Sequence, residues 1–314
     1  AATEIFTPPN LLISPPQETG CLPSTKQNIS LAYYNLHGLV DAPEWYGQRD
    51  AADKDAGPDY PVALSPKDLG SRTPAPEVVF SEACYGAHIE GKAIDQAIAL
   101  KFLARGSMAV IGSTSAAYGS VTTPLIGADL LGQTFWKGLK AGKTAGDALV
   151  QAKVDLVREM SRRQGFLDGE DQKTLISFLL LGDPLASVDP TLPQTKSLLR
   201  ARAHPVIKTI SDRGDEEQAA PQPIPAPVLK QVKQIVAEYL PGLENGEVTL
   251  RQQEVGANGK AASAGSKRAA PEGSDANRLV VTVHRDVQLG QKVHHQVARV
   301  TLAHGKMVKL ALSK

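Results

Sequence analysis

Residues 78–86 read Val78-Val79-Phe80-Ser81-Glu82-Ala83-Cys84-Tyr85-Gly86, and this stretch decides the fold. Its apolar start runs into a cysteine, and a glycine follows two residues later. A short continuous apolar run bounded by turn signals is typical of a strand in a parallel sheet that is covered on both faces. A second run of this kind, Leu31-Ala32-Tyr33-Tyr34-Asn35-Leu36, ends in His37-Gly38. The sequence therefore predicts two buried strands, each of which ends at a polar side chain.

Cys84 and His37 are these two endpoints. In open α/β sheets, reactive groups gather in the crevice beyond the carboxyl ends of the strands. Adjacent strands lie about 4.8 Å apart, so residues just past two neighbouring strand ends can meet. A thiol is a useful nucleophile only as the thiolate, and a nearby imidazole can accept its proton. We therefore predict that Cys84 and His37 form a catalytic dyad.

Glycines accompany both endpoints, as Gly38 and Gly86. Glycine lets the backbone pass close to a bound substrate, because no side chain stands in the way. Backbone N–H groups at such places can hold the oxyanion of a tetrahedral intermediate. We assign this role to the N–H groups of Gly38 and Cys84. Each residue also has a simpler interpretation, since a lone buried cysteine is usually inert and a histidine at a strand end is usually a satisfied polar group.

The segment Glu82–Gly86 with an upstream histidine resembles the caspase signature, in which the histidine lies about 50 residues before the cysteine. The fuller resemblance is to the gingipain-like cysteine peptidases, and it covers about residues 30–190. Three further segments carry it: Tyr34-Asn35-Leu36-His37-Gly38, Ile111-Gly112-Ser113-Thr114 and Leu180-Leu181-Gly182-Asp183-Pro184. The resemblance implies an α/β fold, with a caspase-like, doubly wound and mostly parallel sheet that has helices on both faces. It also implies a cysteine endopeptidase.

Glu82 predicts the substrate preference. It lies two residues before Cys84, so strand alternation points both side chains to the same side. In clostripain-like peptidases and metacaspases, the acid at the matching position lines the S1 pocket, although that acid is usually Asp. A partly desolvated carboxylate favours a cation, so we expect cleavage after Arg or Lys. The alternative is that Glu82 pairs with an internal basic side chain.

Ser113 and Thr114 begin a Gly/Ser/Thr-rich loop, residues 113–123, at the carboxyl end of the next predicted strand. Substrate backbone could run along this loop, so we predict that both residues bind substrate. The alternative is an ordinary polar loop. Enzymes of this clan commonly mature by cutting their own loops, which suggests a zymogen that processes itself. Basic sites in segments predicted to be loops are Arg49, Arg162-Arg163, Lys173 and Lys267-Arg268.

The composition limits the classes of binding partner that we expect. The 314 residues are 42% hydrophobic and 21% charged, as in an ordinary globular chain, and the net charge of +1 gives no reason to expect nucleic acid or an anionic membrane. No apolar run is long enough to span a membrane. Cys21 and Cys84 are the only cysteines, so a disulfide framework is excluded. We expect protein or peptide substrates and no cofactor, with calcium left open. The compartment is unknown, and the family resemblance slightly favours a secreted or cell-surface protein.

Four segments organise the chain. Residues 1–29 form an N-terminal extension with at most one strand, near Leu11-Leu12-Ile13, whereas caspase-like sheets usually have two strands before the one that carries His. Two alternatives stay open: the N-terminal part of the sheet is abbreviated, or another segment or chain completes it. Residues 30–190 form the peptidase domain, and residues 191–227 form a Pro-rich linker. Residues 228–314 form a small α+β domain with an accessory or regulatory role.

Local patterns predict individual elements. Residues 41–76 read as a long insertion in which Ser65-Pro66-Lys67-Asp68-Leu69 starts a short helix, and Thr144 begins a long helix. A polar segment at 161–173 precedes a last strand at Thr174–Leu181. The C-terminal domain is predicted to contain a helix at Val228–Tyr239 and strands at Glu247–Gln253, Arg278–Arg285, Val293–Leu302 and Lys306–Leu312.

Four histidines of the C-terminal domain, His284, His294, His295 and His304, raise the question of a metal site. Successive residues on a strand point to opposite faces, so His294 and His295 cannot both bind one ion, and no thiolate accompanies them. We therefore predict no metal site. Two other functions stay open for the whole chain: a non-catalytic caspase-like scaffold for protein interaction, and a thiol-dependent hydrolase or transferase that is not a peptidase.

Overall fold

The structure is a computed structural model that describes residues 12–14, 30–50, 57–70, 75–187, 224–253 and 278–313. Its strands are β1 Leu31–Tyr34, β2 His37–Gly38, β3 Trp45–Tyr46, β4 Val62–Leu64, β5 Val78–Ser81, β6 Ala109–Ser113, β7 Tyr118–Gly119, β8 Phe178–Gly182, β9 Glu247–Gln253, β10 Arg278–Leu289, β11 Lys292–Ala303 and β12 Lys306–Ser313. Its helices are α1 Ile98–Ala104, α2 Gly127–Lys140, α3 Ala145–Gln164, α4 Gly169–Ser177 and α5 Ala226–Tyr239. Short 3₁₀ turns lie at Ile94–Gln96 and Leu243–Asn245.

A four-stranded sheet in the order β1-β5-β6-β8 forms the centre of residues 30–187. β1, β5 and β6 are parallel, and β8 runs antiparallel at the edge. Every residue of β5 and β6 is buried, as expected for continuous apolar runs that are covered on both faces. The predicted α/β fold with a mostly parallel sheet is therefore confirmed.

Alternate residues of β5 and β6 pack on opposite layers. Val78 and Phe80 contribute to a core with α2 and α3, whose side chains there include Leu131 and Trp136. Val79 instead belongs to a core with α1. The predicted start of the long helix is also confirmed, because the Thr144 hydroxyl accepts a hydrogen bond from the Asp147 N–H at the N-terminus of α3 (3.2 Å).

The insertion between the two central strands is partly ordered into a small antiparallel sheet, β2-β3-β4. The sequence analysis predicted a long insertion but not these strands, because two- and three-residue strands leave no periodic pattern. Ser65–Leu69 forms a turn rather than a helix start. The Asp68 carboxylate accepts hydrogen bonds from both the N–H and the hydroxyl of Ser65, each at 2.7 Å, which closes the turn locally. Of residues 1–29, only Leu12–Ser14 are described, and they are not a strand.

The strand predicted at Thr174–Leu181 was wrong in its first four residues. The helix α4 occupies Gly169–Ser177, and β8 begins only at Phe178. Asp168 and Asp171 form reciprocal hydrogen bonds that cap α4. The run Thr174-Leu175-Ile176 has the β-branched composition of a strand, which concealed the helix. The Thr174 hydroxyl bonds back to the Glu170 carbonyl at 2.8 Å, so its polar group is satisfied inside the helix.

The C-terminal part consists of α5 packed on the antiparallel strands β9–β12, in agreement with the predicted α+β domain. β10 and β11 form a hairpin of 12-residue strands, which are longer than predicted because polar residues follow Arg285. The same sheet also includes β7, which lies far earlier in the chain. β12 pairs antiparallel with β7, with Leu312 opposite Gly119 and Ser313 opposite Tyr118. The predicted linker at 191–227 lies mostly outside the described residues and stays a prediction.

A buried ion cluster joins the two parts of the chain. Lys309 of β12 places its ammonium 2.5 Å from the carboxylate of Asp168, 3.1 Å from that of Asp171 and 3.6 Å from that of Glu170. Arg299 of β11 pairs with Glu170. Removal of one partner from such a buried set leaves uncompensated charge, which is strongly destabilising. The contact between α4 and the C-terminal sheet is therefore a specific one.

The three carboxyl groups of this cluster share two cations, so their pKa values move apart. Burial, followed by the charge of Asp168, raises the pKa of Glu170 to about 7. Burial also raises the pKa of Asp171. Burial acts in the same direction on Asp168, but Lys309 and several hydrogen bonds outweigh it and hold the pKa of Asp168 below its ordinary value. Burial alone would lower the pKa of Lys309, yet the three acids keep it above its ordinary value.

We expect the contribution of this cluster to the free energy of unfolding to fall as pH rises from about 4 to about 7. His294, whose pKa is lowered by burial, acts in the opposite direction below its ordinary value, so the cluster is tested by the difference between two proteins. A carboxyl group with a raised pKa binds a proton in the folded chain that the unfolded chain has released, so its contribution is complete below the ordinary carboxyl pKa and is lost as pH rises through the folded value. Asp168 acts in the opposite direction, but only below its ordinary pKa. Urea unfolding at pH 5, 6, 7 and 8 should show that the wild type loses roughly 2 kcal/mol relative to Glu170→Gln over this range.

Glu170→Gln should flatten this pH dependence, because the amide keeps an acceptor for Arg299 without needing a proton. Asp155→Asn is the matched control, since Asp155 is a partly exposed carboxylate paired with Arg158 on α3. An unchanged slope in Glu170→Gln would show that the cluster does not cause the pH dependence.

Candidate active site

Cys84 lies in a tight turn that follows β5. The Gly86 N–H donates to the Ala83 carbonyl at 3.0 Å, and Tyr85 adopts a left-handed backbone conformation with φ of 57°. A non-glycine residue in this region is uncommon and clusters at functional sites. The Tyr85 N–H donates to the Ser115 carbonyl and the Ala87 N–H to the Ser113 carbonyl, each at 2.9 Å. The turn is therefore fixed to the loop that follows β6.

The Cys84 thiol packs on the backbone of Ala117, the residue that precedes β7. The Ala117 N–H donates to Sγ at 3.2 Å, and Sγ contacts the Ala117 carbonyl at 3.6 Å. Cys84 is only 5% exposed and belongs to the core that includes Phe80. The sulfur therefore lies within reach of both the N–H and the carbonyl of Ala117. This contact ties Cys84 to the loop at residues 113–123.

His37 and Cys84 occupy equivalent positions past the ends of two paired strands. β1 and β5 pair in parallel with Tyr34 opposite Ser81, and each of the two residues follows this pair by three positions. The backbones meet directly beyond the sheet, because a Cβ on Gly38 would overlap the Cys84 carbonyl oxygen. Only glycine fits this approach. The structure thus brings together the chain segments that carry the two predicted catalytic residues.

The His37 imidazole is oriented by the insertion. Its Nε2 lies 2.9 Å from the side-chain carbonyl oxygen of Gln48, and the tautomer with the proton on Nε2 donates to that oxygen. Nδ1 then carries the lone pair that can accept a proton. The ring also meets Tyr60 edge-on, with ring centroids 5.2 Å apart. Burial, followed by the charge of Asp59, raises the pKa of Tyr60 to about 12, so this neighbour stays neutral.

A residue of the C-terminal hairpin completes this aromatic group. The His294 ring lies 5.1 Å from that of His37 and 5.0 Å from that of Tyr60. Burial, and then repulsion from His37 and His295, lowers the pKa of His294 to about 3, so it is neutral at ordinary pH. His295 points to the other face and pairs with Asp286 at 2.6 Å, as the alternation predicts. The described residues include no group of three or more His, Cys, Asp or Glu side chains placed to hold a metal ion.

Glu82 is fully buried on the same side of the sheet as Cys84. Its carboxylate accepts a short hydrogen bond from the Tyr33 hydroxyl (2.5 Å) and lies beside Gly132 of α2. Burial, and then the negative charge of Glu82, raises the pKa of Tyr33 far above its ordinary value, so the hydroxyl remains a donor. The assignment of Glu82 to an S1 pocket stays a prediction.

Ser113 and Thr114 face α4. The buried Ser113 hydroxyl donates to the Ser177 hydroxyl at 2.9 Å, and the Thr114 hydroxyl donates to the Ser177 carbonyl at 3.2 Å. These side-chain bonds hold the loop after β6 in place. The prediction that both residues bind substrate stays a prediction.

Four residues near the predicted site were not recognised as part of it from the sequence: Tyr33, Gln48, Tyr60 and His294. Tyr33 could have been found, because the common offset of the two strands places it opposite Phe80, two residues before Glu82. Gln48 and Tyr60 lie in an insertion without periodicity, and His294 lies far along the chain. Their approach to His37 depends on tertiary packing that no local pattern records.

Residues 64–189 match the family model of peptidase family C25, the gingipain family. The match confirms the resemblance drawn from the sequence and identifies a cysteine-type peptidase, which is a hydrolase that acts on proteins. The matched stretch includes Glu82 and Cys84, but it begins at residue 64 and so does not include His37. A search of curated proteins and a search of solved structures each found no match. No helix in the described ranges is long and apolar enough to cross a membrane.

Proposed function

We propose that this cysteine-type peptidase is an endopeptidase that uses Cys84 as nucleophile and His37 as base, and that it cleaves after Arg or Lys. The observation that carries the proposal is the shared register of β1 and β5, which delivers both residues to one place. The close approach of Gly38 to the Cys84 carbonyl adds to it. A nucleophile, a base and a group that orients the base are the parts expected of an activated thiol.

Each residue has a defined role in the proposed mechanism. His37 accepts the thiol proton, and the Cys84 sulfur attacks the scissile carbonyl carbon. The N–H groups of Gly38 and Cys84 then hold the oxyanion. His37 returns the proton to the leaving amine as the C–N bond breaks, which leaves a thioester on Cys84. Water, deprotonated by His37, hydrolyses the thioester and restores the thiol. Gln48 orients the imidazole throughout by accepting from Nε2.

Cys84→Ala should abolish hydrolysis of fluorogenic peptides that end in Arg or Lys, and His37→Ala should lower kcat/KM by roughly 100-fold or more. The measurement compares peptides ending in Arg, Lys, Asp and Leu, with and without calcium. Cys21→Ser is the matched thiol control and should retain activity. Hydrolysis that survives in Cys84→Ala would refute the nucleophile assignment.

Glu82 supports the basic preference through its burial. The carboxylate is buried two residues before Cys84 and accepts a hydrogen bond from the Tyr33 hydroxyl. A substrate guanidinium or ammonium would supply an opposite charge, which strengthens the interaction and rejects apolar side chains. The glutamate is one methylene longer than the aspartate usual in related pockets, so the proposed pocket is shallower.

Glu82→Gln should lower kcat/KM for Arg peptides by roughly 100-fold, because the amide keeps the Tyr33 hydrogen bond but loses the charge. Tyr33→Phe is the matched control, since it removes the same hydrogen bond and leaves the carboxylate. We expect Tyr33→Phe to lower stability without changing the preference for Arg over Leu. An unchanged preference in Glu82→Gln would assign Glu82 to the core rather than to the S1 pocket.

Self-processing is part of the proposal, and the structure narrows its sites. Peptidases bind extended backbone, whereas Arg162-Arg163 lies in the last turn of α3 and Lys173 lies within α4. Arg163 also donates to the Leu125 carbonyl at 2.6 Å. Arg49 lies in neither a helix nor a strand, so it is favoured over these sites, although its side chain pairs with Asp59 at 2.7 Å. Lys267-Arg268 lies outside the described residues and stays a predicted site.

Incubation of the wild-type chain should produce fragments that begin after Arg49, Lys267 or Arg268. N-terminal sequencing of the products, with Cys84→Ala as the control, gives the cut sites directly. Identical fragment patterns from the two proteins would end the idea of self-processing.

A further inference from the structure

We propose that β10–β12, residues 278–313, form a built-in inhibitor that covers the active site of the peptidase. We call these residues the cap. The inference rests on the proposed function, because it takes His37 and Cys84 as the catalytic dyad. Three sets of contacts carry it, and each lies on a different side of the dyad.

The first set covers His37. His294 of β11 is 3% exposed and lies on the imidazole of His37 and on Tyr60. Gln296, two residues along the same face of β11, donates to the Tyr60 hydroxyl. A proton shuttle has to meet both the thiol and the scissile amide. The cap places a neutral imidazole and an amide beside this group instead of a substrate.

The second set covers the rim beside Cys84. β12 pairs with β7 at Tyr118–Gly119, directly after Ala117, whose backbone contacts the Cys84 sulfur. An extended peptide adds to a sheet edge through backbone hydrogen bonds. β12 occupies this edge already, so a substrate strand cannot add to it while the cap is in place.

The third set holds the tip of the hairpin. Val287 and Leu289 pack on a small core that includes Leu39, next to the His37-Gly38 strand, and Tyr46 of β3. Lys292, beside the turn, binds the Glu44 carboxylate at 2.8 Å. Both side chains of this pair are partly exposed, so the pair can be altered without opening a core.

The cap has an anchor that lies away from the dyad. Lys309 and Arg299 are held by the three acids of α4, as described above. The tip and the anchor therefore act at separate places. A change at the tip tests the covering of His37 while the anchor keeps the C-terminal sheet attached.

The test measures the reactivity of Cys84 in the full chain, because alkylation does not require peptidase activity. Cys21→Ser leaves Cys84 as the only thiol, and mass spectrometry follows its reaction with iodoacetamide. In this background, Lys292→Glu puts two carboxylates together at the tip and should raise the alkylation rate roughly 5-fold. The double variant Lys292→Glu with Glu44→Lys restores opposite charges and should return the rate toward the parent value.

Lys306→Glu is the matched control, since Lys306 is exposed and gives the same charge change at the β11–β12 turn, at the opposite end of β11 from Lys292. Circular dichroism and urea unfolding show whether each variant keeps its fold. An alkylation rate that is unchanged or lower in folded Lys292→Glu would refute the proposal that the cap covers Cys84. An equal rise in Lys306→Glu would refute it as well.

Peptide hydrolysis separates the two hypotheses. Faster alkylation together with faster hydrolysis in Lys292→Glu supports both. Faster alkylation without hydrolysis in any variant supports the cap and refutes the proposed peptidase site. Full hydrolysis in the parent that does not increase in Lys292→Glu refutes the cap alone. Slower hydrolysis in Lys292→Glu, or in His294→Ala, would show that the hairpin assists His37, which also refutes inhibition.

Discussion

The parallel pairing of β1 with β5 is the constraint on which the rest of the site depends. One register sets three relations at once: the Tyr33 hydroxyl reaches Glu82, His37 follows β1 as Cys84 follows β5, and Gly38 packs on the Cys84 backbone. A slip by one residue would turn every side chain of a strand to the opposite face. Burial of both faces of β5 prevents such a slip, so the core that stabilises the fold also aligns the catalytic groups.

The central sheet, and the position of His37 and Cys84 past two neighbouring strand ends, could be predicted because each depends on a local pattern. Continuous apolar runs indicate buried strands, and polar residues at their ends indicate the crevice where chemistry occurs. α4 was missed because Thr174, Leu175 and Ile176 suit a strand as well as a helix, and only the capping carboxylates Asp168 and Asp171 distinguish the two. The small sheet β2-β3-β4 was missed because strands of two or three residues are too short to show a periodic pattern.

The surroundings of His37 could not be predicted, for a different reason. Gln48 and Tyr60 reach it from the insertion, and His294 reaches it from the C-terminal hairpin. These approaches follow from the packing of distant segments, which the sequence records only through shape and charge. Lys309 is the clearest case, because a lysine on a strand ordinarily faces solvent. Its burial requires the three acids of α4, which lie more than a hundred residues earlier.

The pairing of β12 with β7 also has a consequence in time. During synthesis, residues 118–119 leave the ribosome long before residues 306–313, so the edge of β7 stays uncovered until its partner emerges. Contacts of such long sequence separation form late and slow the completion of folding, because a large loop must close first. Domains fold as units from the N-terminal side as they are made, so the peptidase sheet can assemble before the strand that covers its rim exists. A nascent chain would thus pass through an open state that the finished chain has closed.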